Sequence, residues 1–193
     1  MDYNSINRQA EKQLVERILQ GDSRAFGSVI KSTERLVGQI VGRMIGNAED
    51  RKDIIQDIYL NTFKHLSGFR HAARLSTWIG HIAYNTCLNF LEKRRLYLPG
   101  ESFQPEEGEY AQASNSTESL INHKQLTAIL SEKLALLSPV HRTLIVLFHQ
   151  EAMSYSEIGE ITSLPEGTVK SYLFRARKQL KEHVLTAYKK DEL

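Results

Sequence analysis

Apolar residues recur along this chain at steps of three and four, and no stretch alternates convincingly with the period of two that a strand requires. Leu14, Val15, Ile18 and Leu19 predict a short amphipathic helix ending at Gly21. Asp22 or Ser23 can cap the next helix. Its apolar positions are Phe26, Val29, Ile30, Leu36, Val37, Ile40, Val41, Met44 and Ile45, and Gly46-Asn47 closes it. The pattern restarts at Glu49-Asp50 and runs to Leu66, ahead of Ser67-Gly68. A break rich in Arg and His covers residues 70–75. Ser76 or Thr77 then offers a cap for a helix that starts near Trp78. That helix runs through Ile79, Ile82, Ala83, Cys87, Phe90 and Leu91 into Lys93-Arg94-Arg95.

The periodicity then lapses. Residues 96–118 hold two prolines, two glycines, four Ser or Thr residues and a run of Glu, the composition of a flexible linker. Helicity resumes around Leu120. Leu126, Ile129, Leu130, Leu134 and Leu137 form one stripe, and Leu144, Ile145, Leu147 and Phe148 form another beyond Ser138-Pro139. The expected fold is all-α, with small helical domains over 1–95 and 120–193 joined by a flexible acidic linker over 96–119.

Residues 153–181 carry the most distinctive local pattern. Ser154 and Ser156 are good N-cap residues, and Ile158 and Ile161 give a short helix its apolar side. Pro165 is expected to stop that helix and Gly167 to relax the turn. Val169, Leu173, Ala176 and Leu180 then form a helical seam. At 100° per residue, Ser171, Phe174, Arg175 and Lys178 lie opposite, flanked by Lys170, Arg177 and Lys181. A short packed helix followed by one with an apolar seam and a basic face predicts a helix-turn-helix. By shape alone, an amphipathic pair with solvated cations fits as well.

Charge supports a division of the chain. Residues 1–98 hold 15 basic against 10 acidic side chains, residues 99–125 hold 1 against 5, and residues 126–193 hold 9 against 8. An acidic connector thus separates two basic-to-neutral blocks. The polar start predicts neither a signal peptide nor a membrane span, so a cytoplasmic protein without membrane insertion is expected. The lone Cys87 allows no internal disulfide and fits a place in the core of a protein in a reducing compartment. The final four residues, KDEL, match an endoplasmic-reticulum retention signal, but without an entry signal they read as a frayed polar tail.

Two further stretches carry candidate chemistry. In residues 52–64, Ile54, Ile55, Ile58, Tyr59, Thr62 and Phe63 are expected to face inward, as is the following Leu66. Asp53, Gln56, Asp57, Leu60, Asn61 and Lys64 line the other side. Leu60 among carboxylates and amides suggests a docking patch for a basic partner surface; a merely solvated face is the plainer alternative. In residues 69–95, basic and aromatic residues interleave as in surfaces that hold single-stranded nucleic acid; solvated arginines and a Trp78 that caps the core are the plainer alternative, which for Trp78 is the better reading, while the Arg70–Thr77 loop reads as functional. Asn85 and Asn89 stand away from the apolar seam, where their amides can read a base edge. No phosphate loop, nucleophile motif or metal-ligand spacing is present, so catalytic residues, metal and cofactors are expected to be none and an enzyme is not expected.

The stretches KDIIQDIYLNTFKHL, STWIGHIAYNTCLNFLEKRR and LSPVHRTLIVLFHQEAMSYSEIGEITSLPEGTVKSYLFRARKQL, in this order and spacing, resemble bacterial RNA polymerase sigma factors of the extracytoplasmic-function group. The resemblance runs from about Gly21 to Lys181. It implies an alternative-sigma initiation factor with a region 2-like domain, a linker and a region 4-like helix-turn-helix. Its implied partners are core RNA polymerase, through the large-subunit clamp helices and the flap, promoter DNA and, as for many members, an anti-sigma factor. Asp53, Gln56, Asp57 and Leu60 correspond to the polymerase-binding face. Arg70, Arg74, Ser76, Thr77, Trp78, Asn85 and Asn89 correspond to recognition and melting of the minus-ten element, with Arg94 and Arg95 on backbone phosphates. Lys170, Ser171, Tyr172, Phe174 and Arg175 correspond to the minus-thirty-five reader, with Thr168, Arg177 and Lys178 placed for phosphates. Tyr172 stands where members often carry a small or basic residue. The acidic linker corresponds to the family's connector, as a mimic of nucleic-acid charge or as a solvated spacer.

A helix-turn-helix regulator of the two-component output type would need alternating strands and helices upstream, and the pattern there is helical. A polymerase-docking adaptor that never touches DNA is the alternative of another class, and the basic recognition helix argues against it.

Overall fold

The computed structural model describes residues 3–97 and 128–191, and every regular element among them is helical. The acidic connector beyond Tyr97 and the expected restart of helicity at Leu120 and Leu126 lie outside the described residues. Helix α1 spans Tyr3–Leu19, well beyond the short segment its apolar residues predict. Gly21, at φ 97°, makes the turn into α2 (Ser23–Met44). One carboxylate oxygen of Asp22 accepts the N–H groups of Arg24 and Ala25, capping α2. The other accepts from Arg17 at 2.6 Å, which holds the Asp22 carboxyl below the usual carboxylate range.

Asn47 caps α3 (Ala48–His65) rather than merely ending α2, accepting from the N–H groups of Glu49 and Asp50. Arg51 then folds back across the corner. It donates to the carbonyls of Ile45 at 2.8 Å and Gly46 at 2.6 Å, which the end of α2 leaves without helical partners. A 3-10 turn, Leu66–Gly68, leads through the Arg/His-rich loop to α4 (Leu75–Tyr97).

Helix α4 begins earlier than its sequence suggests. The Leu75 N–H donates to the Glu11 carboxylate of α1 at 3.0 Å, so a side chain from another helix takes the place of a local cap. Ser76 and Thr77 therefore lie inside the first turn, with Thr77 buried. Helices α2, α3 and α4 enclose a core that includes Val37, Ile40, Met44, Ile58, Ile79 and Cys87. Burial pushes the Cys87 thiol up to about 12.

In the second half, residues 128–135 form α5, followed by α6 (Pro139–His149), α7 (Tyr155–Thr162) and α8 (Glu166–Asp191). Ser154 opens α7 with a reciprocal capping box. Its hydroxyl accepts the Glu157 N–H at 3.2 Å while the Glu157 carboxylate accepts the Ser154 N–H at 2.9 Å. That backbone hydrogen bond, foremost, lowers the Glu157 carboxyl.

The turn after α7 departs from expectation. Ser163 takes the left-handed conformation at φ 58° and closes the helix, while Gly167 sits inside the first turn of α8 without positive φ. Helix α8 continues through Lys189 and Lys190 to Asp191, and the remainder of the expected polar tail lies outside the described residues.

The two halves meet. Helix α2 packs on α6 and α4 packs on α7, and the buried apolar residues of both halves form one continuous cluster. A Cβ on Gly80 of α4 would lie 3.0 Å from the Cδ1 of Ile161 in α7, so this contact is near the limit of backbone approach. Two ion pairs stitch its margins: Arg35 to Glu151 at 2.8 Å and Arg74 to Glu157 at 3.7 Å.

Candidate nucleic-acid and polymerase interfaces

The outward side of α3 carries Asp53, Gln56, Asp57 and Leu60, all exposed. Leu60 is 55% exposed and Phe63 52%, so Phe63 does not face inward as its spacing suggests. Ile54, Ile58, Tyr59 and Thr62 already fill the buried side of α3. The Phe63 ring is left on the rim, edge-on to Phe26 of α2 with centroids 5.1 Å apart. Leu60 and Phe63 together make an apolar spot beside two carboxylates. The signal available in sequence was the i, i+3 spacing of two large apolar residues within an acidic face.

The loop before α4 is built on aromatic packing. Phe69 is buried between His71, at 4.5 Å, and Trp78, at 5.2 Å between centroids. His71 adopts φ 56° within this loop; Arg70 and Arg74 on either side are exposed, with Arg74 3.7 Å from Glu157 of α7. Trp78 is half-buried against the core, Ser76 is half-buried, and the Thr77 side chain is withdrawn from solvent.

Along α4, Asn85 is not free. Its amide donates to Nε2 of His81 at 2.9 Å, and Nδ1 of His81 lies 3.1 Å from the Ile161 carbonyl. A carbonyl only accepts, so Nδ1 carries the proton and Nε2 receives the amide. This relay ties α4 to α7. His81 is a residue that sequence reasoning passed over; its position four before Asn85 was the available sign. Asn89, Arg94 and Arg95 are exposed farther along, with Arg94 3.4 Å from Asp50 of α3.

Helix α8 is divided as its pattern predicts. Val169, Leu173 and Ala176 are fully buried against the preceding helices. Lys170, Ser171, Phe174, Arg175, Arg177 and Lys178 are exposed, with Phe174 at 69%, and Thr168 is half-buried. Lys170 is held by Glu166 one turn earlier at 2.7 Å, which raises the Lys170 amine in favour of its charged form. The Ser171 hydroxyl donates to the Gly167 carbonyl.

Two members of the expected set stand apart from this outer face. Tyr172 is half-buried, edge-on to His141 at 5.7 Å, with the Arg175 guanidinium 6.0 Å from its ring. Arg177 lies 4.9 Å over the Phe148 ring, and its Nε donates to Nε2 of His149 at 3.2 Å. Partial burial, then the neighbouring guanidinium, lowers the His149 imidazole and keeps it a neutral acceptor. The structure thus gathers Lys170, Ser171, Phe174, Arg175 and Lys178 on one open surface. Tyr172 and Arg177 of the same helix lie against α6, Tyr172 on His141 and Arg177 on Phe148 and His149.

No cluster of His, Cys, Asp and Glu suited to a metal ion occurs among the described residues. No helix among them is long and apolar enough to cross a membrane.

Comparison with known proteins identifies the family. The family described as sigma-70 region 2 matches residues 29–97, and sigma-70 region 4 matches residues 127–180. The RNA polymerase sigma-H factor of Pseudomonas aeruginosa is 30% identical over 182 residues, covering 91% of this chain and 94% of that protein. The ECF RNA polymerase sigma-E factor of Escherichia coli is 29% identical over 184 residues, covering 90% and 94%. Among solved structures, the sigma factor RpoE of Bartonella quintana, in complex with the anti-sigma factor NepR, superposes with a TM-score of 0.66 at 21% identity. It covers 82% of this chain and 94% of its own. CnrH, in complex with the cytosolic domain of CnrY, gives 0.64 at 20% identity over 92% and 98%. With a region 2 match ahead of a region 4 match and curated relatives along nine-tenths of its length, the chain belongs to the extracytoplasmic-function group of RNA polymerase sigma factors.

Proposed function

We propose that the chain acts as an alternative sigma factor through three separate faces. The outer side of α3, with Asp53, Gln56, Asp57 and Leu60, docks on core RNA polymerase. The loop at Arg70–Thr77 and the helix carrying Trp78, Asn85 and Asn89 recognise and open the minus-ten element, with Arg94 and Arg95 on phosphates. The outer side of α8, from Thr168 to Lys178, reads the minus-thirty-five element. The observation that carries the reading is the outer face of α8, where exposed Lys170, Phe174, Arg175 and Lys178 stand on a helix seated by Val169, Leu173 and Ala176. A long helix that follows a short packed one and projects cations beside an exposed ring suits a major groove, where a ring can meet a thymine methyl.

Strand opening needs no bond chemistry from the protein. Unstacking a base costs a few kcal/mol and is offset by holding the extruded base, so a binding factor without enzymatic activity suffices. The work belongs in the cytoplasm, where polymerase and promoter meet. An anti-sigma factor is the further partner expected, as in the Bartonella quintana complex.

Run-off transcription tests the proposal. Core polymerase supplemented with this chain is expected to initiate at discrete promoters upstream of genes in the source genome, and core polymerase alone is not. Transcripts that do not depend on the chain would overturn it. Assembly with polymerase but no promoter-directed start would favour the docking adaptor.

A further inference from the structure

We infer that the stacked rings of Phe148 and Tyr155 form a rail that sets Lys170 and Arg177 along one edge of α8 as a pair of backbone-phosphate contacts, so that Lys170 fixes the helix in the groove rather than reading a base. The inference rests on the minus-thirty-five reading above for what α8 meets, and on ring and cation geometry for the rest. Phe148 lies at the end of α6 beside His149, and Tyr155 opens α7; their rings stack with centroids 4.9 Å apart and planes 16° from parallel. Each ring carries one cation of α8. Lys170 Nζ lies 5.3 Å from the Tyr155 centroid, and the Arg177 guanidinium 4.9 Å from that of Phe148. His149 meets Phe148 edge-on at 5.0 Å while accepting from Arg177, so the ring and its neighbour hold the guanidinium together.

The spacing on α8 suits a pair. Lys170 and Arg177 are seven residues apart, close to two helical turns, so they share one side of the helix about 10 Å apart along its axis. Ser171, Arg175 and Lys178 lie round from that side, on the face opposite the Val169, Leu173 and Ala176 seam. Cations at the edge of an inserted helix meet the strand backbones, and groups on its outer face meet base edges. With Nε committed to His149, Arg177 keeps its two terminal amino groups, which can grip two oxygens of one phosphate in parallel. Lys170 is shared with Glu166 at 2.7 Å, an exposed pair that exchanges readily for another anion. A side chain ordered on a ring before binding has less freedom left to lose when the phosphate arrives.

The test uses the full-length chain assembled with core polymerase. Its probes are a fluorescent promoter duplex mapped by run-off transcription and a second duplex with the upstream element scrambled. Arg177→Gln and Lys170→Gln are each expected to lower the slope of log affinity against log salt by about 0.9, the value for one phosphate contact. Lys170→Gln should weaken binding by the same factor on every single-base change in the upstream element, as loss of a backbone contact does. Phe148→Leu keeps apolar bulk but removes the ring, and is expected to weaken promoter binding about two- to fivefold. In an Arg177→Gln background the same change should add no further loss, because the ring acts through the guanidinium. Tyr155→Leu should behave likewise through Lys170, and Tyr155→Phe, which keeps the ring, should recover what Tyr155→Leu loses.

Losses from Phe148→Leu and Arg177→Gln that simply multiply would overturn the rail, since rings that merely seat α7 on α6 act independently of the cation. So would a Tyr155→Phe variant as weak as Tyr155→Leu, which would place the effect on the hydroxyl. Relaxed preference at one base pair in Lys170→Gln would return Lys170 to base reading. If native holoenzyme binds the intact and scrambled duplexes alike, the minus-thirty-five reading itself fails and the rail falls with it. Discrimination between the duplexes that persists through any of the earlier outcomes leaves that reading standing without the rail.

Discussion

Leu173→Ala is expected to destabilise the C-terminal helical unit by about 2–5 kcal/mol, the range for emptying a fully buried leucine site. Leu173 is without solvent exposure, on the α8 seam between Val169 and Ala176. It faces helices that also bury Leu144, Leu147, Ile158 and Ile161. Small helical units have limited reserve, so a loss of this size takes a large part of the margin. Urea denaturation followed by circular dichroism would show an early transition, and footprinting over the upstream promoter element would weaken with it. Phe174→Ala, one residue along, is the control. Its ring is 69% exposed, so stability should hold within about 0.5 kcal/mol. If Leu173→Ala matched this control, the seam would not be what seats α8.

The second large effect is expected at the polymerase face. Leu60→Asp combined with Phe63→Ala should weaken binding to core RNA polymerase by about a hundredfold. That corresponds to about 3 kcal/mol, within the range for the few residues that dominate an interface. The two side chains are more than half exposed in the free chain, so their removal leaves the fold close to native. In the proposed docking, the carboxylates of Asp53 and Asp57 beside them steer a basic partner, and the apolar pair supplies the surface withdrawn from water. Fluorescence anisotropy with labelled chain and core polymerase measures the loss. Lys31→Ala, an exposed change on α2, should leave affinity within about twofold. Equal affinities for the two variants would remove α3 as the docking face.

Much of this was legible from local pattern. The caps at Asp22 and Ser154, the seam of α8 and the misplaced Leu60 follow from periodicity and short-range hydrogen bonding. What escaped was set by contacts distant in sequence. Glu11 starts α4 from 64 residues away, which no cap rule applied to Ser76 or Thr77 can see. Phe63 is turned to the rim because other residues fill the inner side of α3, a matter of volume rather than of angle. Ser163 closes α7 in a conformation usually given to glycine, while the nearby Gly167 is ordinary helix. The join between the halves was the least visible. Periodicity shows that α4 and α7 have apolar faces, but not that Gly80 and Ile161 meet, 81 positions apart.

The sealed Cys87 thiol gives the molecule a built-in clock. It is the one cysteine in the chain, it is wholly buried, and its high pKa leaves almost no thiolate at neutral pH. A thiol reagent under native conditions therefore waits for the packing around α4 to part. Its rate of modification counts those openings and needs no engineered label.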